Sequence, residues 1–509
     1  MNKSASDALE RLRQLGADLG GLSADSRSLR AGEAFVAYPG ASADGRRHIG
    51  EAIARGASAV LWEREGFSWN PDWSLPNVAV DGLRALAGDL ADEVYGHPSE
   101  KLWLAGVTGT NGKTSCSQWI AQALNAFGRK TAVIGTLGSG FPGAPGQAAT
   151  APLVPALNTT PDAIELHRQL AGFLREGAQG AVMEVSSMGL DQGRVNGARF
   201  DVALFTNFSR DHLDYHGDME RYAAAKSLLF DLPGLSGAVL NLDDVLGVRL
   251  AQKLAGSQIA CAGYSAHAGV ASAAGLQYFL EAEDVRFTRD GIAFTLSSSW
   301  GRAEVNSALL GRFNVANLLG VLGVLLGAGV ALEKAVAAVA TLKAPPGRMQ
   351  CLGGAGKPLA VIDYAHSPDA LEAALASLRT LADADRGRLV CVFGCGGDRD
   401  RGKRSLMGAI AARNADQVLL TSDNPRSEDP IAIITDILEG VLAEAQAGAA
   451  PLVVADRREA IFAAIAAAAA GDVVLIAGKG HEDYQERAGQ RVPFSDAAVA
   501  AEALRAWNS

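Results

Sequence analysis

One junction in this chain constrains its fold more than any other feature. The apolar run Leu102-Trp-Leu-Ala-Gly-Val107 passes almost directly into Gly109-Thr-Asn-Gly-Lys113-Thr114, and an amphipathic segment follows. A continuous apolar run does not alternate in and out, so it reads as a strand covered on both faces. Strand, glycine turn and helix in that order belong to a parallel α/β sheet. In that setting the backbone N–H groups of the turn point at phosphate oxygens. Lys113 supplies a point charge near the β- and γ-phosphates, and the Thr114 hydroxyl is a magnesium ligand. Gly109, Thr110, Asn111, Gly112, Lys113 and Thr114 are therefore candidate ATP-binding residues. The match is not to the longer P-loop pattern, whose first glycine position falls here on Val107. The bland alternative is a glycine-rich turn that happens to be followed by Lys-Thr. A P-loop also serves kinases, motors and switches, so it does not define a reaction alone.

The same alternation continues on both sides of this junction. Apolar runs at Thr131 to Ile134, Ala181 to Val185, Val202 to Thr206 and Ala238 to Asn241 are separated by helical segments. A further series, Leu359 to Ile362, Leu389 to Phe393, Val418 to Thr421 and Val473 to Ala477, follows the hinge-like Pro345-Pro346-Gly347. It reads as a second, Rossmann-like unit, with the Ala-rich run Ile461 to Ala470 as one of its helices. Before residue 100, short apolar runs (Ala34 to Ala37, Ala57 to Trp62) mix with Gly- and Asp-rich turns. The expectation is an α/β protein of three domains, 1–100, 101–345 and 346–509, which suits a length of 509 residues. The Gly- and Pro-rich stretch Gly138 to Pro155 reads as a mobile insertion.

Charge excludes some classes. A formal net charge of -10 argues against broad nucleic-acid binding, although a few cations in one cleft still hold an anionic ligand. Cys116, Cys261, Cys351, Cys391 and Cys395 match no zinc or haem spacing and read as reduced thiols, most of them buried. The N-terminal residues lack an apolar signal core, so a cytoplasmic location is expected. The uncharged stretch Leu318 to Leu332 is shorter than the roughly 20 residues of a spanning helix, and its glycines suit a close-packed core helix instead.

Polar residues gather where these strands end. Glu184 closes one run and is a candidate second magnesium ligand beside Thr114. Thr206-Asn-Phe-Ser-Arg-Asp-His212-Leu-Asp-Tyr-His216 closes the next, dense in groups that bind metal or phosphate. Lys226 lies in a helical pattern, and periodicity alone reads it as a solvated surface lysine.

Together, Gly109 to Thr114, Glu184-Val-Ser-Ser187, Thr206 to His216, Gly311-Arg-Phe-Asn-Val-Ala-Asn317, Pro346-Gly-Arg348 and Asp363-Tyr-Ala-His-Ser-Pro368 resemble the Mur ligase family over nearly the whole chain. The resemblance implies an N-terminal UDP-binding domain, a central P-loop ATPase and a C-terminal Rossmann-like domain. It implies an ATP-dependent, magnesium-requiring amide-bond ligase that proceeds through an acyl phosphate. Thr114 and Glu184 would hold one magnesium ion, and His212 and Lys226 a second, with Lys226 carbamylated (N6-carboxylysine). That reverses the surface reading of Lys226. Lys113, Lys226 and His212 would be catalytic, and Asn317, Arg348 and Asp363 would touch ATP.

Within the family, the resemblance is to the type that adds the third peptide residue, in peptidoglycan precursor synthesis. Ala24, Ser26 and the loop Ala41-Ser42-Ala43 match its nucleotide contacts. Asn158, Thr159, Thr160, Ser186, Gln192 and Arg194 match its muramoyl-dipeptide contacts. Asp423-Asn424-Pro425-Arg426 matches the form that adds meso-diaminopimelate to UDP-N-acetylmuramoyl-L-Ala-D-Glu, with Arg399, Gly478 and Glu482 as further contacts. Arg426 offers a planar fork suited to a carboxylate, and Asp423 and Asn424 suit an ammonium. By itself Asn-Pro-Arg is only a turn signal. The lysine-adding and D-Ala-D-Ala-adding ligases, a folylpolyglutamate synthetase and a non-ligating ATP-binding regulatory module are the rival readings. A monomer is expected, with small-molecule substrates and no nucleic acid or membrane span.

Overall fold

A computed structural model of the chain describes residues 3–40, 43–145, 151–156, 158–288, 291–384, 386–444 and 450–508. Three sheets carry the architecture, each followed in sequence by the next. The first is parallel throughout, in the order Leu22–Ser23, Ala34–Ala37, Ala59–Glu63, Asn77–Val80. Its inner strands are fully buried, with one apolar core on each face.

The second sheet has ten strands. Its parallel centre runs Ala260–Ser265, Gly237–Asn241, Val202–Phe205, Trp103–Thr108, Gly180–Glu184, Thr131–Gly135. Every apolar run expected here forms a strand, shifted by a residue at most. Helices bury both faces. One core is built around Trp119 and the helix Phe313–Gly327, the other around Leu166, Phe200 and Leu250. That helix carries the uncharged stretch, but it ends at Gly327. Gly329, with a positive φ of 82°, closes it before Leu332–Ala340 begins. Gly320 and Gly323 let it press onto Leu204 and Val239 of the sheet. Among the described residues no helix is long and apolar enough to cross a membrane.

Two features of this sheet depart from the sequence reading. An antiparallel extension, Tyr278–Thr288, Gly291–Ser298, Gly301–Ser307, widens one side. Tyr278–Thr288 in its second half and Gly301–Ser307 alternate between more covered and exposed positions, and the largely buried Gly291–Ser298 between them is broken by Thr295 and ends in serines, so no long apolar run marks the extension. On the other side Gly138–Gly140 pairs antiparallel with Thr131–Gly135, and the Ser139 and Val154 backbones bond each other at 2.9 and 2.8 Å. The ends of the stretch expected to be mobile are thus tied to the sheet, while residues 146–150 lie outside the described ones.

The third sheet runs Gln350–Gly353, Leu359–Asp363, Val473–Ala477, Leu389–Phe393, Gln417–Leu420, Leu452–Val453, parallel except for its first pair. It too is covered on both faces. The Ala-rich helix spans Arg457–Ala466. All five cysteines are free, four of them buried and Cys351 exposed.

Candidate active site

The register of the central sheet decides where its chemistry gathers. Val107 pairs with Glu184 and Thr108 with Phe205, so three loops leave the sheet at one level. This is where an open parallel sheet binds ligands. The Gly109–Thr114 loop leaves the middle strand and opens the helix Lys113–Ala126. Gly109 has φ 149°, and a Cβ there would collide with the Thr206 hydroxyl on the neighbouring strand. Only glycine permits that approach. The loop is further braced by Asn207, whose Oδ1 accepts from the Asn111 N–H at 2.9 Å. Asn317 reaches it from the long core helix, its Oδ1 lying against Gly112.

Lys113 curls back, donating to the Gly109 and Thr110 carbonyls at 2.8 and 2.7 Å. Desolvation lowers its pKa and Arg348 adds to that, against the pull of Glu184 and Asp211. Thr114 donates to the buried Glu184 carboxylate at 2.9 Å. Thr136, at the end of the adjacent strand, donates to the same carboxylate through its N–H at 2.8 Å and its hydroxyl at 3.0 Å. These hard oxygens, side by side at a phosphate loop, fit a magnesium ion that keeps part of its water shell. Among the described residues no cluster of three His, Cys, Asp or Glu could hold a metal, so the candidate ligands are this carboxylate and these hydroxyls.

Lys226 is not at the surface. It is 1% exposed, its ammonium donates to the Gly109 carbonyl at 2.8 Å, and it sits 4.4 Å over the Tyr222 ring. Burial, reinforced by nearby Lys113, pushes its pKa well below the ordinary lysine value, with Asp211 opposing. His212 is edge-on to the same Tyr222 ring, ring centroids 6.1 Å apart. Burial brings its pKa down to about 4 despite Asp211 at 3.5 Å, and Lys113 and Lys226 push the same way. As an ammonium, Lys226 does not fit a cation site, because it is a donor only. As a carbamate it would present anionic oxygens beside His212.

The C-terminal sheet meets this site through Arg348, Asp363 and His366. Arg348 donates to the Thr114 hydroxyl at 3.2 Å and packs 4.4 Å over the Tyr364 ring. Asp363 accepts from the Met349 and Ala365 N–H groups at 2.7 and 2.9 Å, which fixes the loop around Arg348. The His366 Nε2 stands 4.0 Å from Asp211. Asp211, Thr136 and Tyr222 were not singled out from the sequence. Asp211 was legible as part of the strand-end loop, whereas Thr136 and Tyr222 carried no signal of their own.

The expected diaminopimelate residues gather at the carboxyl ends of the C-terminal strands. Asn424 donates to Glu482 at 2.7 Å, and the buried Lys479 joins both at 3.0 and 2.9 Å. Gly478, φ 112°, leaves no room for a side chain beside the Asp423 carboxylate. Arg426 has a positive φ of 51°, donates to the Gly397 carbonyl at 2.6 Å and flanks Gly396 together with the exposed Arg399. Pro425 is buried between Asn424 and Arg426.

The expected substrate residues divide. Asn158, Gln192 and Arg194 line a cavity of about 250 Å³ with Tyr38, Arg84 and Asp162, between the first and second sheets. Arg194 is fixed by Gln192 at 2.7 Å and by the Thr160 carbonyl at 2.8 Å. Thr160 and Ser186 bond each other at 3.1 Å, and Thr159 bonds Thr136 at 3.1 Å, so this strip runs on to the Glu184 site. Ser26 is turned to Glu51 at 3.0 Å, and Ala24 packs against the first core. The Ala43 carbonyl accepts from Gly40 at 2.8 Å, and Ala41 and Ser42 lie outside the described residues.

Known proteins match along the whole chain. Residues 18–95 match the profile described as Mur ligase family, catalytic domain, residues 107–325 the Mur ligase middle domain, and residues 347–480 the Mur ligase, glutamate ligase domain. The chain is 51% identical over 486 residues to the UDP-N-acetylmuramoyl-L-alanyl-D-glutamate--2,6-diaminopimelate ligase of Pseudomonas aeruginosa, covering 96% of this chain and 95% of that one. It is 48% identical over 504 residues to the ligase of the same name from Nitrosomonas europaea, covering 97% and 94%. A solved structure of a ligase with that name aligns at TM-score 0.66 and 38% identity over 96% of this chain and 95% of the other. The MurF ligase of Thermotoga maritima in complex with ADP shares the fold at TM-score 0.61 and 18% identity, over 96% of each chain. Profiles that span all three sheets and near-half identity over nearly the full length leave no room for another assignment: the chain belongs to the Mur ligase family.

Proposed function

We propose that this protein joins meso-diaminopimelate to the D-glutamate γ-carboxylate of UDP-N-acetylmuramoyl-L-Ala-D-Glu, consuming ATP, in peptidoglycan precursor synthesis. The observation that carries the reading is the run of sites along strand ends. The buried Thr114–Glu184 pair at the phosphate loop is linked through Thr136 and Thr159 to the strip that holds Arg194, and through Arg348 to the C-terminal sheet that carries Asp423 to Arg426. A carboxylate, a nucleotide and an amine can meet only where such sites adjoin.

In this reading residues 1–100 hold the UDP end, 101–345 carry ATP and the reacting carboxylate, and 346–509 bring the amino acid. ATP phosphorylates the carboxylate, and ADP leaves. The amine attacks the acyl phosphate carbonyl, and the tetrahedral adduct expels phosphate. Lys113, Arg348 and the loop N–H groups neutralise charge that spreads over phosphate oxygens. Thr114 and Glu184 would hold magnesium, which supplies charge neutralisation at the phosphates. A lysine converts to a carbamate only as the neutral amine, losing a proton as it adds carbon dioxide, and the burial of Lys226 beside Lys113 favours that form. Arg426 would pair with the distal carboxylate of the amino acid, while Asp423 and Glu482 would receive its ammonium. The protein would work as a cytoplasmic monomer.

The test is phosphate release by purified protein given ATP, magnesium and the UDP-linked dipeptide, with meso-diaminopimelate and L-lysine in parallel. Release with diaminopimelate alone is expected. Release with lysine alone would keep the ligase and discard the specificity. Silence with both, in folded protein that binds ATP, would point to another acceptor or to a regulatory module.

A further inference from the structure

We infer that Arg457 is a positioning residue for the amino-acid site, holding two separate loops at a fixed distance. This rests on the reading that the loops 423–426 and 478–482 receive the amino acid. Arg457 opens the helix Arg457–Ala466 and is wholly buried, as is its partner Asp496. Nε donates to one Asp496 oxygen at 2.7 Å and Nη2 to the other at 2.7 Å. The guanidinium then has donors to spare. Nη2 donates to the Ala477 carbonyl at 2.9 Å, and Nη1 to the Ser422 carbonyl at 3.4 Å. Those two carbonyls immediately precede Gly478 and Asp423.

The topology gives this bridge a place that the other ties between the loops, through Asn424, Lys479 and Gln485, do not fill: the strand ends themselves. Val473–Ala477 and Gln417–Leu420 are not neighbours, because Leu389–Phe393 lies between them. No ladder of backbone hydrogen bonds links the two strands directly. Yet Asp423 and Gly478 must meet so closely that a Cβ on Gly478 would crowd the Asp423 carboxylate. Among the described residues Arg457 is the one fork that holds the carbonyls directly preceding both residues, Ala477 and Ser422, across the intervening strand end. Its charge also adds to that of Lys479 near the Asp423 and Glu482 carboxylates. The pairing with Asp496 alone does not explain an arginine here, since a buried ion pair can often be replaced by apolar residues of similar volume. A lysine would keep the charge, but it lacks the planar geometry that serves Asp496 and both carbonyls together.

Steady-state kinetics of the full chain test this with two variants, Arg457→Lys and the paired apolar change Arg457→Met with Asp496→Leu. In both, the KM for diaminopimelate is expected to rise about tenfold or more, while the KM values for ATP and the UDP-linked dipeptide stay within about twofold. The paired variant is expected to keep a melting temperature near that of the unmodified chain. A diaminopimelate KM within about twofold of normal in a folded variant overturns the inference, and so do equal rises for all three substrates. If the unmodified chain releases no phosphate with diaminopimelate, the site assignment itself fails. That outcome is distinct from an active chain whose variants are unaffected.

Discussion

The central and C-terminal sheets place their loops at the same spot, the carboxyl ends of parallel strands, and fill it with opposite kinds of chemistry. In the central sheet the loops present backbone N–H groups and cations whose charge is only partly balanced. Lys113 and Lys226 both spend their donors on neutral carbonyls, and both pKa values are lowered. In the C-terminal sheet the charges that frame the loops are already paired, while Arg426 and Asp423 within them have no ion-pair partner among the described residues. Lys479 is locked to Glu482 and Asn424, Arg457 to Asp496, and Arg404 to Glu428 and Asp436. The first arrangement awaits an anion. The second is a rigid frame in which a zwitterion finds fixed partners. One strand-end geometry thus serves phosphate transfer in one place and amino-acid selection in the other, and the difference lies in how much charge is left uncompensated.

The largest expected effect breaks the first half of the comparison. Lys113→Ala removes the cation nearest the loop carbonyls, and ADP release should fall by about a thousandfold or more with every amino acid supplied. A coupled assay of ADP with several acceptors checks it. Persisting release would place the phosphates elsewhere. Next is Glu184→Gln, which keeps the size of the side chain but removes the anion and one of the two oxygens that accept from Thr114 and Thr136. A loss in kcat of about a hundredfold is expected, partly recovered at high magnesium, because the ligand charge is what changes. Insensitivity to magnesium concentration would count against Glu184 as a ligand.

Arg426→Ala addresses the second half. The diaminopimelate KM should rise by about tenfold to a hundredfold, with little change in the KM for ATP. Equal effects on both would show that Arg426 does not read the amino acid and would blur the division between the two sheets.

The two regions also differed in how far they could be read from sequence. The central site is nearly contiguous. One strand, one glycine loop and one helix start sit within a short stretch, so residue order alone gave the phosphate loop and the strands beside it. Glu184 was readable because it terminates an apolar run. Lys226 was not, since helical periodicity reports which face a residue lies on and not what covers that face. Here the cover is Tyr222, one turn earlier on the same helix, and the Gly109 carbonyl, which comes from a loop far away in sequence. The C-terminal site is assembled from loops scattered over its sheet, and Asn424, Lys479 and Glu482 meet only through strand order. Family resemblance supplied Asn424 and Glu482, while Lys479 and Arg457 surfaced only from the geometry. The antiparallel extension Tyr278–Thr288 to Gly301–Ser307 escaped notice for a related reason: its outer strand and half of its inner one alternate, and alternation over short spans is a weak signal.

The smallest effect sharpens the comparison by placing one probe in each region. His212, beside the phosphate loop, and His481, beside Arg348, are both held neutral, with pKa values near 4. Burial is the main cause at each, reinforced by Lys113 and Lys226 at His212 and by Arg348 at His481. In the unfolded chain each imidazole should titrate near 6.5. Between about pH 6.5 and 4 the unfolded state therefore binds more protons than the folded one. Linkage makes stability fall as pH drops through that window and level out below it. Melting temperatures across this range should decline less steeply for His212→Gln and His481→Gln than for the unmodified chain. Bound ATP brings negative charge to the Lys113 side, which raises the His212 pKa and shrinks that residue's share of the slope. If the slope is unchanged in both variants, the two rings titrate as in water, and the electropositive character argued for the central site loses its support.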